Sequence, residues 1–191
     1  MKVVAFNGSP RKTGNTSILI SAVLDELEKE GIETEFVQIG GQPLRGCVAC
    51  MKCLKEKNKR CANDDDNMNE YIEKMIAADG ILLGSPTYFA TVSTEIKALI
   101  DRAGYVARVN GSLFKRKVGA GVVAMRRAGS VNVFDTMNHL FTISEMVVPS
   151  SSYWNMGVGL KPGDVKDDKE GMETMRILGE NMAWLLKKIH Q

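Results

Sequence analysis

The segment from Asn7 to Ser17 combines the side chains and glycines that a phosphate-binding loop needs. It follows a short apolar run and precedes an amphipathic stretch, so we expect it to join a strand to the start of a helix. A phosphate at a helix start is stabilised by unpaired backbone N–H groups, the helix dipole and hydroxyl donors. An ordinary helix cap needs only one hydroxyl. The candidate hydroxyl donors are Ser9, Thr13, Thr16 and Ser17, the turn glycines are Gly8 and Gly14, and the added cations are Arg11 and Lys12.

Missing patterns narrow the kind of phosphate ligand. No G-x-x-x-x-G-K-[ST] occurs, which excludes an ATP-type P-loop, and no G-x-G-x-x-G follows the first strand, which excludes the dinucleotide fingerprint. The loop contains no cysteine, so a phosphatase with a cysteine nucleophile is not expected there. A mononucleotide is therefore the phosphate ligand that the sequence leaves for this loop.

All four cysteines, Cys47, Cys50, Cys53 and Cys61, lie within fifteen consecutive positions. The C-x2-C-x2-C run brings three thiolates around one small volume, and the fourth can complete the set that a 4Fe-4S cluster requires. Structural zinc usually takes two separated C-x2-C pairs, so the spacing favours the iron cluster. Free or redox-labile thiols stay open as an alternative, and disulfides suit a cytoplasmic chain least.

Strand and helix patterns alternate along the whole chain, which is typical of a parallel sheet covered on both faces. The pattern predicts an α/β fold, a flavodoxin-like doubly wound sheet of five strands in the order 2-1-3-4-5. The predicted strands are 2–6, 33–39, 80–84, 117–124 and about 146–149, the last with a possible extension to 154. The predicted helices are 15–30, 68–77, 93–103 with Thr91 or Ser93 as cap, 131–143 and 169–189.

This strand order predicts that three loops, at 9–17, 85–91 and 125–130, meet at the carboxyl edge of the sheet, where such folds hold FMN. The second loop carries Tyr88 and Phe89, which are suited to stack on or wall a flavin ring. Backbone N–H groups of residues 87–90 are candidate donors to the polar edge of the ring. Both aromatics are equally well explained as core or surface residues.

Composition excludes several classes of protein. The chain has 191 residues, 44% of them hydrophobic, and a net charge of +2, which predicts one domain over 1–191 and no nucleic-acid surface. No apolar run approaches the ~20 residues of a membrane span, and the first residues turn polar too early for a signal peptide. A cytoplasmic protein is expected. The irregular stretch 40–67, which holds the cysteines, is long enough to predict a function for it.

Three motifs in this order resemble the NADPH-dependent FMN reductase family of flavodoxin-like proteins. They are Gly8-Ser9-Pro10-Arg11 with Gly14-Asn15-Thr16, then Gly84-Ser85-Pro86-Thr87-Tyr88, then Leu99-Ile100-Asp101-Arg102. The cysteine segment, Gly46-Cys47-Val48-Ala49-Cys50-Met51-Lys52-Cys53 with the chain on to Cys61, is similar to that of the iron-sulfur flavoproteins within the family. One departure is Ala128-Gly129, where family members often carry two glycines after the paired arginines.

The resemblance implies FMN and, at the cysteines, a 4Fe-4S cluster. The implied phosphate contacts are Ser9, Arg11, Asn15, Thr16 and Ser17, and the implied ring contacts are Pro86, Thr87, Tyr88 and Phe89, with Met125 and Arg126 bordering the ring. The implied cluster ligands are Cys47, Cys50, Cys53 and Cys61. It also implies a homodimer or homotetramer.

Three functions follow as hypotheses. The first is an FMN-dependent oxidoreductase of iron-sulfur flavoprotein type, with NAD(P)H or a ferredoxin-like donor and a small-molecule or protein acceptor. The second is a cluster-free NAD(P)H-dependent flavin or quinone reductase, and the third is a non-enzymatic electron carrier. No side chain is expected to act as acid or base, because the flavin carries the chemistry. The basic run 55–60 suits an acidic ferredoxin, or is simply a solvated loop.

Other conspicuous residues have plainer interpretations. Asp64, Asp65 and Asp66 precede a predicted helix, where carboxylates favour the N-terminus, so capping is expected rather than metal binding. The two histidines, His139 and His190, have no neighbour in the sequence that suggests catalysis. Trp154 is expected to pack in the core, with shielding of a flavin across a subunit interface as the alternative.

Overall fold

The computed structural model describes residues 1–190 and has one parallel five-stranded sheet, whose order β2-β1-β3-β4-β5 confirms the prediction. The strands are β1 (Lys2–Asn7), β2 (Glu33–Gln38), β3 (Gly80–Pro86), β4 (Val118–Met125) and β5 (Met156–Val158). The α-helices are α1 (Asn15–Lys29), α2 (Lys52–Glu56), α3 (Met68–Ala77), α4 (Thr94–Val109), α5 (Ser130–Ile143) and α6 (Lys169–Ile189), and a 3₁₀ helix spans Asp164–Asp167.

The register of the central strands brings the three expected loops to one edge. Asn7 at the end of β1 lies opposite Gly84, and Pro86 at the end of β3 lies opposite Ala124. Because all strands are parallel, the loops after β1, β3 and β4 leave the sheet on the same side.

The sheet separates two hydrophobic cores, one on each face. One core packs α1 and α6 against side chains such as Val3 and Leu82. The other packs α3, α4 and α5 against side chains such as Val4 and Leu83. Each fully buried aliphatic side chain stabilises the fold by roughly 1.5–3 kcal/mol before the entropy of ordering is counted. The central strands are therefore the rigid base of the loops at the carboxyl edge.

The predicted fifth strand is misplaced. At 146–149 only Val147 pairs with the sheet, as an isolated parallel bridge to Val118, and the chain then leaves the sheet until β5. Pro149 has no N–H to donate, so the ladder cannot continue through it. Asn155 then accepts from the Val123 N–H at 2.9 Å and leads the chain into β5. The edge strand is thus split into two contacts.

Helix α4 begins at the predicted cap but continues past the predicted end at 103. The Ser93 hydroxyl accepts a hydrogen bond from the Ile96 N–H, which confirms the cap. Gly104 lies within the helix, where a Cβ would come 2.8 Å from Leu140 Cδ1. The glycine therefore serves close packing of α4 on α5 rather than ending α4.

Two short helices were not predicted, namely α2 within the cysteine segment and the 3₁₀ helix after β5. Among residues 1–190, no helix combines the length and the hydropathy that crossing a bilayer requires.

Candidate functional site

Helix α1 starts without the partners that helix starts usually have. Its N-cap residue is Gly14, which has no side chain to accept a hydrogen bond, and its first turn holds no acidic residue. Within residues 1–190, the backbone N–H groups of Thr13, Asn15, Thr16 and Ser17 have no acceptor. A cluster of unpaired donors at the positive end of a helix dipole suits an anion such as a phosphate.

Several predicted phosphate contacts shape this loop with their side chains. The Ser9 Oγ accepts from the Arg11 N–H at 3.2 Å, which leaves its own O–H free to donate. The Ser17 O–H already donates to the Gly14 carbonyl at 2.8 Å. The Asn15 amide binds segment 161–165, accepting from the Gly163 N–H at 2.9 Å and donating to the Lys161 carbonyl at 3.0 Å. Ser17 and Asn15 thus offer an anion their backbone N–H groups rather than their side-chain donors.

The loop after β3 is a tight turn whose tip has strained geometry. The Tyr88 and Thr91 main chains hydrogen-bond each other at 3.0 and 2.9 Å. Phe89 and Ala90 both have left-handed φ angles, 46° and 58°, which side-chain-bearing residues rarely adopt. Phe89 is fully exposed and Tyr88 is half-exposed. An aromatic ring held outward by a strained turn is typical of a surface that receives a ligand or partner.

The turn leaves only part of its backbone available to a flavin. The Thr87 N–H donates to the Ala124 carbonyl at 2.9 Å, and the Tyr88 N–H closes the turn. The N–H groups of Phe89 and Ala90 have no acceptor in the described chain. Of the predicted donor segment 87–90, only the N–H groups of Phe89 and Ala90 therefore remain available to a flavin.

Gly129 brings the second and third loops into contact. Its φ is 86°, and a Cβ there would come 3.1 Å from Ala90 Cβ. Only glycine permits this approach without displacing the turn. Ala128 is exposed, so the departure from a glycine pair leaves this contact intact.

The same edge of the sheet carries four cations, Arg11, Lys12, Arg126 and Arg127. All four are exposed, and none has a carboxylate partner among residues 1–190. Met125, the other predicted border residue, is partly buried at the end of β4. The edge is therefore electropositive and suits phosphate groups.

The four cysteines line one cavity on the α4 side of the molecule, together with Arg102, Tyr105 and Val106 of α4. Cys47 and Cys50 are exposed, Cys61 is partly buried and Cys53 is buried, and all four are free thiols. Within the described chain, the backbone N–H groups of residues 46–52 have no acceptor. Burial, together with the nearby Cys61 and Cys50, raises the pKa of the Cys53 thiol.

The arrangement is not that of a single-ion site. No three His, Cys, Asp or Glu side chains in residues 1–190 are placed to hold one metal ion. Zinc with four thiolates at about 2.3 Å needs the sulfurs clustered around one point. In a 4Fe-4S cubane each thiolate binds a different iron at a corner of the cluster, so the sulfurs stand further apart around a volume. Four thiols and unpaired N–H groups border one cavity here, and thiolates with N–H donors to their sulfurs are what a 4Fe-4S cluster binds.

Helix α4 anchors the cysteine segment at several points. The Tyr105 hydroxyl donates to Met51 Sδ at 3.1 Å. The Asn110 amide donates to the Cys53 carbonyl at 3.4 Å and accepts from the Lys59 N–H at 3.0 Å. On α3, the buried Asn69 accepts from the Cys61 N–H at 2.8 Å and donates to its carbonyl at 2.9 Å.

The buried Arg102 pairs with the buried Asp66 beneath the cysteines. Burial pushes the pKa of Asp66 upward, but hydrogen bonds from Arg102 and from the Arg45 and Met68 N–H groups outweigh it and hold the pKa below its usual value. Asp66 does accept from the first N–H of α3, as the capping interpretation expects. Its ion pair was not predicted. A charged residue in the apolar stripe Leu99–Arg102–Ala103–Val106 was the available signal for it.

Neither histidine lies at the candidate site. His139 is exposed on α5, and His190, which follows α6, has its Nε2 3.5 Å from Asp79 Oδ1. Trp154 is half-exposed rather than in the core, against Tyr153 with ring centroids 5.2 Å apart.

The sheet order and the open helix start at its carboxyl edge define a flavodoxin-like α/β protein. Solved structures share this fold. A WrbA-like flavodoxin from Agrobacterium tumefaciens superposes with a TM-score of 0.67 and 18% identity, covering 98% of this chain and 96% of that one. RosB, solved with bound 8-demethyl-8-formylriboflavin-5′-phosphate, gives a TM-score of 0.75 and 18% identity, covering 100% of this chain and 80% of that one.

Sequence comparison then gives the family. The family model described as NADPH-dependent FMN reductase matches residues 1–161. An iron-sulfur flavoprotein of Methanocaldococcus jannaschii is 41% identical over 99% of both chains. One from Methanosarcina thermophila is 33% identical, covering 100% of this chain and 98% of its own. The chain belongs to the NADPH-dependent FMN reductase family, and it is an FMN-dependent oxidoreductase.

Proposed function

We propose that this protein is an oxidoreductase of iron-sulfur flavoprotein type, which transfers electrons between a reduced donor and an acceptor through FMN and a 4Fe-4S cluster. The observation that carries the proposal is the cavity lined by Cys47, Cys50, Cys53 and Cys61 in a chain whose α1 start is open to a phosphate. The names of the two iron-sulfur flavoprotein relatives agree with it.

For FMN, we propose that the phosphate lies at the start of α1. The supporting observation is the set of unpaired N–H groups from Thr13 to Ser17, next to the free O–H of Ser9. The proposed phosphate contacts are Ser9, Arg11, Asn15, Thr16 and Ser17. The proposed ring contacts are Pro86, Thr87, Tyr88, Phe89, Met125 and Arg126. RosB holds a flavin phosphate on the same fold.

For the cluster, we propose the four cysteines as ligands. The unpaired N–H groups of residues 46–52 are suited to donate to cluster sulfurs, and the Arg102 Nε–H already donates to Cys61 Sγ. When both cofactors are bound, the flavin supplies exchange between two-electron and one-electron chemistry and the cluster supplies one-electron transfer. The protein's own residues bind and orient them, and no side chain is assigned a proton transfer.

The surface beside the cysteines favours an acidic, ferredoxin-like protein as donor. Val48, Met51 and Leu54 are exposed there. Four exposed lysines lie within eight residues of the same stretch and have no carboxylate partner in the described chain, namely Lys52, Lys55, Lys57 and Lys59. Exposed apolar side chains together with unpaired lysines complement an acidic protein surface.

A second candidate is the cluster-free NAD(P)H-dependent flavin or quinone reductase. The unpaired cations Arg11, Lys12, Arg126 and Arg127 at the carboxyl edge favour it, because a nicotinamide dinucleotide brings several phosphate charges. In this case the cysteines remain free thiols.

We further propose a cytoplasmic homodimer or homotetramer. Four free thiols suit a reducing compartment. The exposed aromatic pair Tyr153 and Trp154 supports burial between subunits.

Anaerobic purification separates the two candidates. We expect broad absorbance beyond the flavin bands, with iron and acid-labile sulfide each at about four per FMN, as one cubane requires. Cys53→Ala is expected to lose iron and sulfide while keeping FMN. Val48→Ala, an exposed non-ligand in the same segment, is the control and is expected to keep all three. Wild-type protein with FMN but no sulfide would overturn the first candidate.

A further inference from the structure

The guanidinium of Arg102 is the only cationic side chain lining the cysteine cavity within the described chain. It is 1% exposed and spans both ends of the cysteine segment. Its Nη1 donates to the Arg45 carbonyl at 3.1 Å, and its Nη2 donates to the Asn63 carbonyl at 2.7 Å. Its Nε donates to Cys61 Sγ at 3.3 Å.

The orientation of the guanidinium is fixed by its other partners. Asp66 pairs with Nη1, and the two carbonyls hold the remaining edge. With the guanidinium held in this way, the Nε–H bond points toward Cys61. Because the Asp66 carboxylate offsets the full charge of Arg102, what reaches the sulfur is a directed N–H dipole rather than a net positive charge.

We propose that Arg102 is a positioning residue that holds Cys61 at the cavity and raises the reduction potential of the cluster through its N–H···S hydrogen bond. Hydrogen bonds to ligating sulfurs are among the factors that set cluster potentials. One-electron reduction adds negative charge that is shared by the sulfurs, so a donor at Cys61 is bound more strongly in the reduced state. The reduced form is thereby favoured.

The test is the midpoint potential of the cluster in purified FMN-loaded protein, measured by redox titration with optical or EPR detection. Arg102→Lys keeps a cation beside Asp66, but one ammonium cannot replace the fork and reach Cys61 as well. Arg102→Gln combined with Asp66→Asn removes both charges and leaves no buried carboxylate unpaired. Both variants are expected to have a more negative midpoint potential than wild type.

Arg108→Gln and Arg108→Lys are the matched controls, because Arg108 is an exposed arginine of α4 outside the cavity. Their midpoint potentials are expected to equal that of wild type. Loss of iron and sulfide from Arg102→Lys, with FMN content unchanged, also supports the proposal, since Cys61 would then depend on Arg102 for its position. Full iron content with an unchanged potential in both Arg102 variants overturns it.

This inference rests on the proposed cluster, and the two can fail separately. If the proposed function is wrong, wild-type protein contains no iron or sulfide. If only this inference is wrong, wild-type and variant proteins are loaded alike and have the same potential.

Discussion

At the scale of single residues, the start of α1 depends on donors that nothing in the described chain accepts. Thr16 is 1% exposed, and its N–H has no acceptor among residues 1–190. A hydroxyl in this place is suited to a charged phosphate oxygen, and hydrogen bonds to charged groups contribute about 1.5–3 kcal/mol. Its role is best tested with an isosteric substitution.

Thr16→Val removes the hydroxyl and keeps the shape. We expect FMN affinity to fall by roughly tenfold or more, since about 1.4 kcal/mol corresponds to a factor of ten. Fluorescence titration of the apoprotein with FMN measures it. Thr142→Val on α5, whose hydroxyl bonds only within its helix, is the control. Equal affinities for both variants would remove Thr16 from the site.

Phe89 is a residue whose local conformation opposes stability. It is fully exposed and has a φ of 46°, a combination that costs of order 1 kcal/mol without benefit to the fold. Phe89→Asn is expected to leave the apoprotein as stable as wild type or up to about 1 kcal/mol more stable, because asparagine tolerates left-handed φ.

The same Phe89→Asn variant is expected to bind FMN more weakly, because it removes an aromatic ring that we propose to contact the flavin. Chemical denaturation of apoprotein and FMN titration measure the two effects. A variant that is less stable but binds FMN normally would mean that Phe89 serves the fold instead.

At the scale of elements, Glu35 of β2 connects β1 and α3. It pairs with Lys2 at 2.9 Å and with Lys74 at 2.6 Å. Hydrogen bonds from Lys2 and Lys74 lower the pKa of Glu35. A carboxyl whose pKa is lower in the folded than in the unfolded state stabilises the fold above the unfolded pKa, and this contribution disappears as the pH falls through the folded pKa.

Glu35→Gln should therefore destabilise the protein by up to about 1 kcal/mol at pH 7. The difference in the free energy of unfolding between variant and wild type should shrink as the pH falls below the ordinary glutamate pKa of about 4.3. Urea unfolding at a series of pH values measures it. A difference that stays constant down to acid pH would indicate packing rather than charge.

The positions of helices and strands could be predicted from sequence where the element is long enough to show a clear apolar pattern. Helix α6 was predicted over 169–189 and is observed there, because its apolar stripe is long and uninterrupted. Strand β5 is only three residues long and follows an irregular stretch, so its periodicity was too short to detect. The Arg102 network joins residues far apart in sequence, and only the packing of α4 against the cysteine segment brings them together.

In the candidate site, too, some features could be predicted from the sequence and others depend on contacts across the fold. Loop positions at the carboxyl edge followed from strand order, which is a property of the whole pattern. The use of the Asn15 side chain to bind segment 161–165 did not, because it depends on a contact across the fold. The strain at Phe89 was also invisible, since side-chain type does not reveal a left-handed turn there.

At the scale of the whole molecule, the sheet connects the two proposed cofactor sites. Gln38 at the end of β2 donates to the Ser9 carbonyl at 2.7 Å and to the Gly40 carbonyl at 2.8 Å. The irregular stretch 40–67, which holds the cysteines, therefore starts beside the phosphate loop. The basic, partly apolar surface over the cysteines lies where an electron carrier would dock to the proposed cluster.

If that surface receives an acidic carrier, charge reversal should slow reduction. Lys55→Glu combined with Lys57→Glu is expected to lower the rate of reduction by an acidic ferredoxin tenfold or more at low salt, and the effect should weaken as salt is added. Stopped-flow absorbance measures the rate. Lys29→Glu with Lys169→Glu, two exposed lysines outside the pocket that Lys12, Thr13 and Ser17 line, is the charge-matched control. Equal rates in both double variants would place docking elsewhere.

We propose that one chain holds both FMN, at the start of α1, and an iron cluster, within its cysteine segment. Diffraction from anaerobically grown crystals, recorded on both sides of the iron absorption edge, tests it most directly. We expect iron anomalous density bounded by Cys47, Cys50, Cys53 and Cys61, with the FMN phosphate against the N–H groups of Thr13 to Ser17. Iron-free thiols, a single zinc ion at the cysteines, or FMN bound away from α1 would contradict it.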